Sequence, residues 1–206
     1  MWNEVLLYMN KVRFSKILYI LIIVIFVTSI FLIYRKIEPP YNSIFIAITM
    51  VICFIPGRIV GHYFRYFFIA RKFLNLKKYE NSIEYNKRFI QLLEHKPWIK
   101  RLMWFSWGIY TKDIEAMSFN NLGTALLYMG KYDQSKEQFK KAISIDESYS
   151  LPYFNLAIIY LIDGDKEIAH NYYRNAEKLG FKGTSFDKLI TKIQELYTNR
   201  EGNINE

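Results

Sequence analysis

Two consecutive stretches of the chain, 116–149 and 150–183, repeat each other with a period of 34 residues. The aligned pairs are similar in size and polarity: Phe119 with Tyr153, Asn121 with Asn155, Leu122 with Leu156, Gly123 with Ala157, Gly130 with Gly164, Phe139 with Tyr173, and Ala142 with Ala176. A fixed period of this length indicates that each stretch is one supersecondary unit. Because such a unit packs mainly on its neighbours, the period predicts a linear array of similar units.

The spacing of the aligned residues resembles that of the tetratricopeptide repeat family, whose unit is a pair of antiparallel helices. The first repeat supplies the family's pattern as Phe119, Leu122, Gly123, Leu126, Gly130, Ser135, Phe139 and Ala142, and the second as Tyr153, Leu156, Ala157, Tyr160, Gly164, Ala169, Tyr173 and Ala176. Small residues let the two helices approach closely, and aromatic residues fill the space around them. Gly130 and Gly164 are expected to end the first helix of each repeat. The resemblance implies an all-α, right-handed superhelical array of helix-turn-helix units.

Both ends of this array need cover, because two repeats leave apolar faces open. Upstream, residues 63–96 fit the same frame as a degenerate repeat, through Tyr66, Ile69, Ala70, Phe73, Tyr79, Ser82 and Phe89. Downstream, residues 184–199 predict a capping helix with a capping-box-like start at 184–187. The repeat domain is therefore predicted over 113–199, followed by a disordered tail over 200–206.

Two uncharged apolar runs precede the repeats and predict a transmembrane helical hairpin. The first, over 17–34, contains eighteen residues without a charge. At about 1.5 Å per residue it nearly spans a hydrocarbon core of about 30 Å. The second covers about 41–57, and Pro39 and Pro40 fix the turn between the two runs. Residues 1–57 are therefore predicted to be an N-terminal tail and a two-span anchor.

Positive charge is concentrated in residues 58–112, which carry twelve Lys and Arg against three Asp and Glu. Such a band is typical of binding to nucleic acid or to an anionic membrane surface. Its position beside the apolar runs favours the membrane, with Arg58 and Arg65 at the headgroup level. Since Lys and Arg flank the runs on the side of both termini, we expect a multi-pass protein of the cell membrane with both termini in the cytoplasm.

The segment 97–112 inside this band is rich in aromatic residues, including Trp98, Trp104 and Trp107. Trp together with Lys suits the membrane interface, which predicts a short helix on the inner leaflet. Packing within the repeat domain explains the same residues equally well, and both interpretations stay open.

Catalytic and metal-binding patterns are not found in the sequence. His62, His95 and His170 are not spaced with Cys or carboxylates as metal ligands, and the single cysteine, Cys53, lies in an apolar run. No phosphate-binding glycine loop or nucleophile elbow is present. We therefore expect neither an enzyme nor a metal or other cofactor.

The resemblance also implies where a partner would bind, because the first helices of tetratricopeptide repeats line a concave groove. The corresponding positions here are Met117, Asn120, Thr124, Leu127, Leu151, Phe154, Ile158 and Leu161. The four positions in the second repeat have no polar side chain, which suits an apolar or amphipathic segment of a partner protein. The alternative is that the C-terminal helix or the Trp-rich segment of this chain fills the groove.

Three functions follow from these features. The first is a membrane-anchored adaptor that binds proteins at the cytoplasmic membrane face, in contact with the anionic inner leaflet. The second is an accessory subunit or assembly factor of a membrane enzyme or transporter. The third, a membrane-associated nucleic-acid-binding protein, depends on charge alone, which a lipid surface explains as well.

Overall fold

The computed structural model describes residues 2–105, 111 and 113–202, with side chains described over 17–195 apart from 19, 104–110 and 112. Over these residues the chain consists of nine α-helices and one 3-10 helix, without a strand. The all-α prediction is therefore confirmed. The chain divides into two compact units, Met1–Arg65 and Tyr66–Glu206.

The first unit contains two helices, α1 (Trp2–Tyr34) and α2 (Tyr41–Tyr63). Helix α1 begins at Trp2, so the membrane span predicted over 17–34 forms only its C-terminal part. Among the described residues, only α2 is long and apolar enough to cross a membrane, and none of its residues is buried. The described apolar part of α1, Ile20–Tyr34, is shorter. One candidate span is thus supported, and the two-span hairpin stays a prediction.

The second unit is a succession of helical hairpins. Helices α3 (Arg65–Asn75) and α4 (Tyr79–His95) precede a 3-10 helix (Pro97–Phe105). Helices α5 (Ile114–Tyr128) and α6 (Tyr132–Ile145) cover the first predicted repeat, and α7 (Ser150–Ile162) and α8 (Lys166–Lys178) cover the second. Helix α9 (Phe186–Gly202) follows.

The same turn joins the two helices of all three hairpins. Lys77, Gly130 and Gly164 have positive φ angles of 58°, 72° and 88°. In each turn the next amide donates to a carbonyl five residues earlier: Lys78 N to Phe73 O, Lys131 N to Leu126 O, and Asp165 N to Tyr160 O. This bond is typical of a helix that ends at a left-handed residue. The α3–α4 hairpin therefore has the turn geometry of the two clear repeats, with lysine in place of glycine.

Close approach of α5 and α6 depends on Gly123. A Cβ atom on Gly123 would lie 2.7 Å from Cε1 of Phe139, whose side chain is fully buried. Beside this contact, Ser135 Oγ donates a 2.7 Å hydrogen bond to the carbonyl of Gly123. Small residues at 123 and 135 thus bring the helices together, as the repeat pattern predicts.

The two clear repeats pack on each other through α6 and α7. Phe139, Leu156 and Ile159 form the core of this junction, and partly buried side chains surround it: Leu127, Tyr132, Ile143, Tyr160 and Tyr172. Lys136 on α6 forms a 2.6 Å ion pair with Asp163, and its Nζ lies 5.3 Å from the ring centre of Tyr160. One cation therefore links α6 to both the end and the side of α7.

Replacement of Lys136 by methionine should lower the free energy of unfolding by about 1 kcal/mol at neutral pH. The hydrogen bond to Asp163 raises the pKa of Lys136 above 10.5 in the folded protein. Because the unfolded chain releases this proton first, the contribution is complete below the unfolded pKa and is lost as the pH rises through the folded pKa. Denaturant unfolding from pH 7 to pH 12 should show the difference shrinking only in alkali.

Lys140→Met is the matched control, because Lys140 is an exposed lysine on the same helix. Substitution at such a surface position changes the free energy of unfolding by at most about 0.5 kcal/mol. Equal losses in the two variants would contradict a linking role for Lys136.

The described part of the Trp-rich segment packs on α4 and α5. Ile99 is fully buried and Met103 is 7% exposed, whereas Trp98 is 46% exposed. Lys100 forms an ion pair with Glu115 of α5. These contacts place residues 97–103 against the repeat helices, as the packing interpretation requires. Residues 106–110 and 112 lie outside the described part.

Helix α9 covers the open side of the second repeat. Leu189 is 6% exposed and joins a cluster with Ala157, Leu161, Ala169 and Tyr173. The hydroxyl of Tyr173 donates a 2.8 Å hydrogen bond to the carbonyl of Thr184, just before the helix. The apolar end of the array is thus closed by the chain itself.

Candidate partner-binding surfaces

The predicted groove positions on α5 differ in how far they are open. Met117 and Thr124 are half-buried, and Asn120 is only 5% exposed. Leu127 packs into the junction core beside Phe139. Of these four positions, Met117 and Thr124 therefore offer most of the surface that a partner could contact.

A polar cluster connects α5 to α7 at this surface. Asn155 Nδ2 donates to Asn120 Oδ1 at 3.1 Å and to Thr124 Oγ1 at 3.5 Å. Thr124 Oγ1 in turn donates to the carbonyl of Asn120 at 2.8 Å. Asn155 was not among the predicted site residues, although its alignment with Asn121 marks a repeated amide. The cluster fixes the two first helices relative to each other.

The apolar positions on α7 are largely covered by the C-terminal segment. The ring of Phe154 stacks on Phe181 with centroids 4.1 Å apart, and Ile158 packs against the cluster that contains Leu189. Leu161 is 9% exposed in the same cluster. Leu151, at the start of α7, is half-buried. The chain thus fills the second-repeat part of the groove, as the alternative interpretation describes.

The open first-helix surface consists of Met117, Thr124 and Leu151, beside the amide pair of Asn120 and Asn155. It combines two apolar side chains with a hydroxyl and amides. Such a surface can make apolar contacts with a partner and can form hydrogen bonds with the partner's peptide backbone.

The predicted membrane-interface residues fall in different places. Arg58 and Arg65 are exposed. Trp98 is partly exposed at the edge of the second unit's 3-10 helix. The side chain of Trp104 and the whole of Trp107 lie outside the described residues.

A second surface, absent from the sequence-based predictions, lies between α4 and α6. This α4–α6 groove has a volume of about 430 Å³ and an apolar floor of Ile90, Phe119, Leu122 and Leu126. Its rims carry Lys87 and Glu94 on α4 and Gln138 and Lys141 on α6. Its rims come from helices far apart in sequence, so no local pattern indicates it.

Across the described part of the chain, no three His, Cys, Asp or Glu side chains lie together as a metal site requires. The open first-helix surface is built from apolar, hydroxyl and amide side chains, and the α4–α6 groove adds lysine and glutamate side chains at its rims. Their composition suits binding to a macromolecule.

Comparison with known families identifies one repeat directly. Residues 116–149 match the family model of the tetratricopeptide repeat. The match covers the α5–α6 hairpin and confirms the family resemblance for the first of the two clear repeats. No curated protein matches the chain.

Proposed function

We propose that this tetratricopeptide repeat protein is a membrane-anchored scaffold that binds a protein partner at the cytoplasmic face of the cell membrane and catalyses no reaction. Domains of this family generally bind proteins, and the match at 116–149 supports the same general role here. The anchor, the cytoplasmic orientation and the absence of catalysis are parts of the proposal.

The observation that carries the proposal is the open first-helix surface, two of whose three members, Met117 and Thr124, lie on the matched repeat. The α5–α6 hairpin is closely packed, but it covers the side chains of Met117 and Thr124 only in part. Both side chains are therefore accessible to a partner. A partner segment that covers these side chains and Leu151 would bury apolar area without disturbing the core. The neighbouring amides of Asn120 and Asn155 would favour a segment that offers backbone groups.

The exposed apolar surface of α2 supports membrane anchoring. Its eighteen-residue window has a mean hydropathy of 2.2, and no residue in that window is buried. Water is a poor solvent for such a surface, whereas a bilayer of about 30 Å matches its length. Exposed Arg58 near its end suits contact with anionic headgroups.

The test is photocrosslinking in cells with a benzophenone amino acid at Met117. We expect a discrete protein adduct that stays in the membrane pellet after alkaline carbonate extraction. The matched control carries the same crosslinker at Lys140, which is exposed on α6 away from the first-helix surface. Equal adducts at both positions would refute the surface, and release of the chain by carbonate would refute the anchor.

A further inference from the structure

The junction of α4 with α6 and the junction of α6 with α8 occupy equivalent positions in the repeat, but different residues fill them. At the second of these junctions, Tyr172 of α8 stacks on Tyr160 of α7, with ring centroids 5.3 Å apart and planes 7° apart. One repeat of 34 residues earlier, the same positions are Gln138 and Leu126. Gln138 and Leu126 cannot form a stacked pair of rings, and both line the α4–α6 groove. The fold therefore shows, in its own second junction, that an aromatic ring fits this position.

This groove is separate from the open first-helix surface. At about 100° per residue, Leu122 and Leu126 lie on nearly the opposite side of α5 from Met117 and Thr124. A volume of about 430 Å³ is within the range of about 300–1,000 Å³ found for sites that hold ligands. The groove can thus be occupied independently of the first-helix surface.

Charge on the α4 rim indicates the chemistry of the occupant. Lys87 and Glu94 stand seven residues apart, which is about 10 Å along the helix. Within the described part of the chain, neither has an ion-pair partner, whereas Lys141 on the facing rim is paired with Glu137. A helix laid along the groove would complement this rim with one acidic and one basic side chain two turns apart.

We infer that the α4–α6 groove binds an amphipathic helix of a partner protein that inserts one aromatic side chain over Leu126. The same helix places a carboxylate beside Lys87 and, about two turns away, a basic side chain beside Glu94. The aromatic ring takes the place that Tyr172 occupies in the next junction. The carboxylate and the basic group fix the direction in which the helix lies.

The experiment selects binders from a displayed library of helical peptides against the full chain in lipid nanodiscs, after depletion on empty nanodiscs. We expect enriched peptides to carry an aromatic residue between an acidic and a basic residue two turns apart. Gln138→Tyr, which restores the aromatic residue of the second junction, should weaken the selected peptide about tenfold or more. Lys140→Tyr places the same residue on the exposed side of α6 and should leave binding unchanged.

A charge reversal gives a second readout that does not depend on core packing. Lys87→Glu should weaken the peptide, and replacing the peptide's acidic residue by lysine should restore its affinity for this variant. Equal binding to Gln138→Tyr and to the unmodified chain, or no rescue by the reversed peptide, would overturn the inference. A peptide weakened by Met117→Arg and not by Gln138→Tyr binds the first-helix surface, which overturns this inference while the proposed function stands.

Discussion

Replacement of Phe139 by alanine should lower the free energy of unfolding of the second unit by about 3–5 kcal/mol. The Phe139 ring is fully buried between Gly123 of its own repeat and the junction core with Leu156 and Ile159. Its removal eliminates the packing contacts with Gly123 and with the junction core, and it leaves a cavity that the packed helices can only partly close. Urea unfolding of the full chain in detergent micelles, followed by circular dichroism at 222 nm, measures the loss.

Phe68→Ala is the matched control, since Phe68 is 47% exposed on α3 of the same unit. It should cost less than about 1.5 kcal/mol. Similar losses in the free energy of unfolding for the two variants would show that Phe139 is not a core residue of the second unit.

The contact with Gly123 provides a further check through a double-mutant cycle. In the unmodified chain, Gly123→Ala places a Cβ within 2.8 Å of two atoms of the Phe139 ring. In the Phe139→Ala background that obstacle is gone, and alanine should gain about 1 kcal/mol of helix propensity over glycine. The effect of Gly123→Ala must therefore be more favourable in the alanine background, and additive effects would rule out the contact.

The repeats were readable from the sequence because their packing needs particular residue sizes at fixed positions. Gly123 and Ser135 are small where the helices meet, and Phe139 fills the space beside them. The turn needs a left-handed residue, which Gly130 supplies at little cost. Each of these requirements is local, so one chain is enough to recognise it.

The α3–α4 hairpin shows why a third repeat was harder to read. Lys77 occupies the left-handed turn position, where glycine would be recognisable. Asn86 stands at the position of Phe139, opposite Ala70 at the position of Gly123. It is fully buried, donates to the carbonyl of Ser82 at 2.9 Å, and leaves its Oδ1 without a hydrogen-bond partner. Ala70 is larger than Gly123, and Asn86 is correspondingly smaller than Phe139. This compensation can be recognised only when the two helices are seen packed together.

The two binding surfaces depended on information that no local pattern contains. Coverage of Phe154 is decided by the path of the segment before α9, which brings Phe181 onto its ring. The α4–α6 groove is lined by residues of three helices, so its existence depends on how α4, α5 and α6 pack together. The sequence could therefore predict first-helix positions but not which of them the chain itself would cover.

Replacement of Leu189 by aspartate should detach α9 from the second repeat and lower the free energy of unfolding by at least about 3 kcal/mol. Leu189 is 6% exposed and packs with Leu161 and Tyr173. A carboxylate at this place would be buried without a partner, so release of the helix costs less than keeping it packed. Release exposes Leu161, Tyr173 and the apolar side chains packed with them, and binding of 1-anilinonaphthalene-8-sulfonate should rise as helicity falls.

Lys192→Asp on the same helix is the control, because Lys192 is exposed and its substitution changes the charge by more. Unaltered dye binding in this variant would assign the effect at Leu189 to burial rather than to charge. A Leu189→Asp protein with unchanged helicity and dye binding would show that α9 does not cover the repeat.

Detachment would also uncover the second-repeat positions Ile158 and Leu161, so a crosslinker at Ile158 should capture proteins only in the Leu189→Asp background. The C-terminal helix would then be the element that keeps Ile158 and Leu161 out of the open first-helix surface.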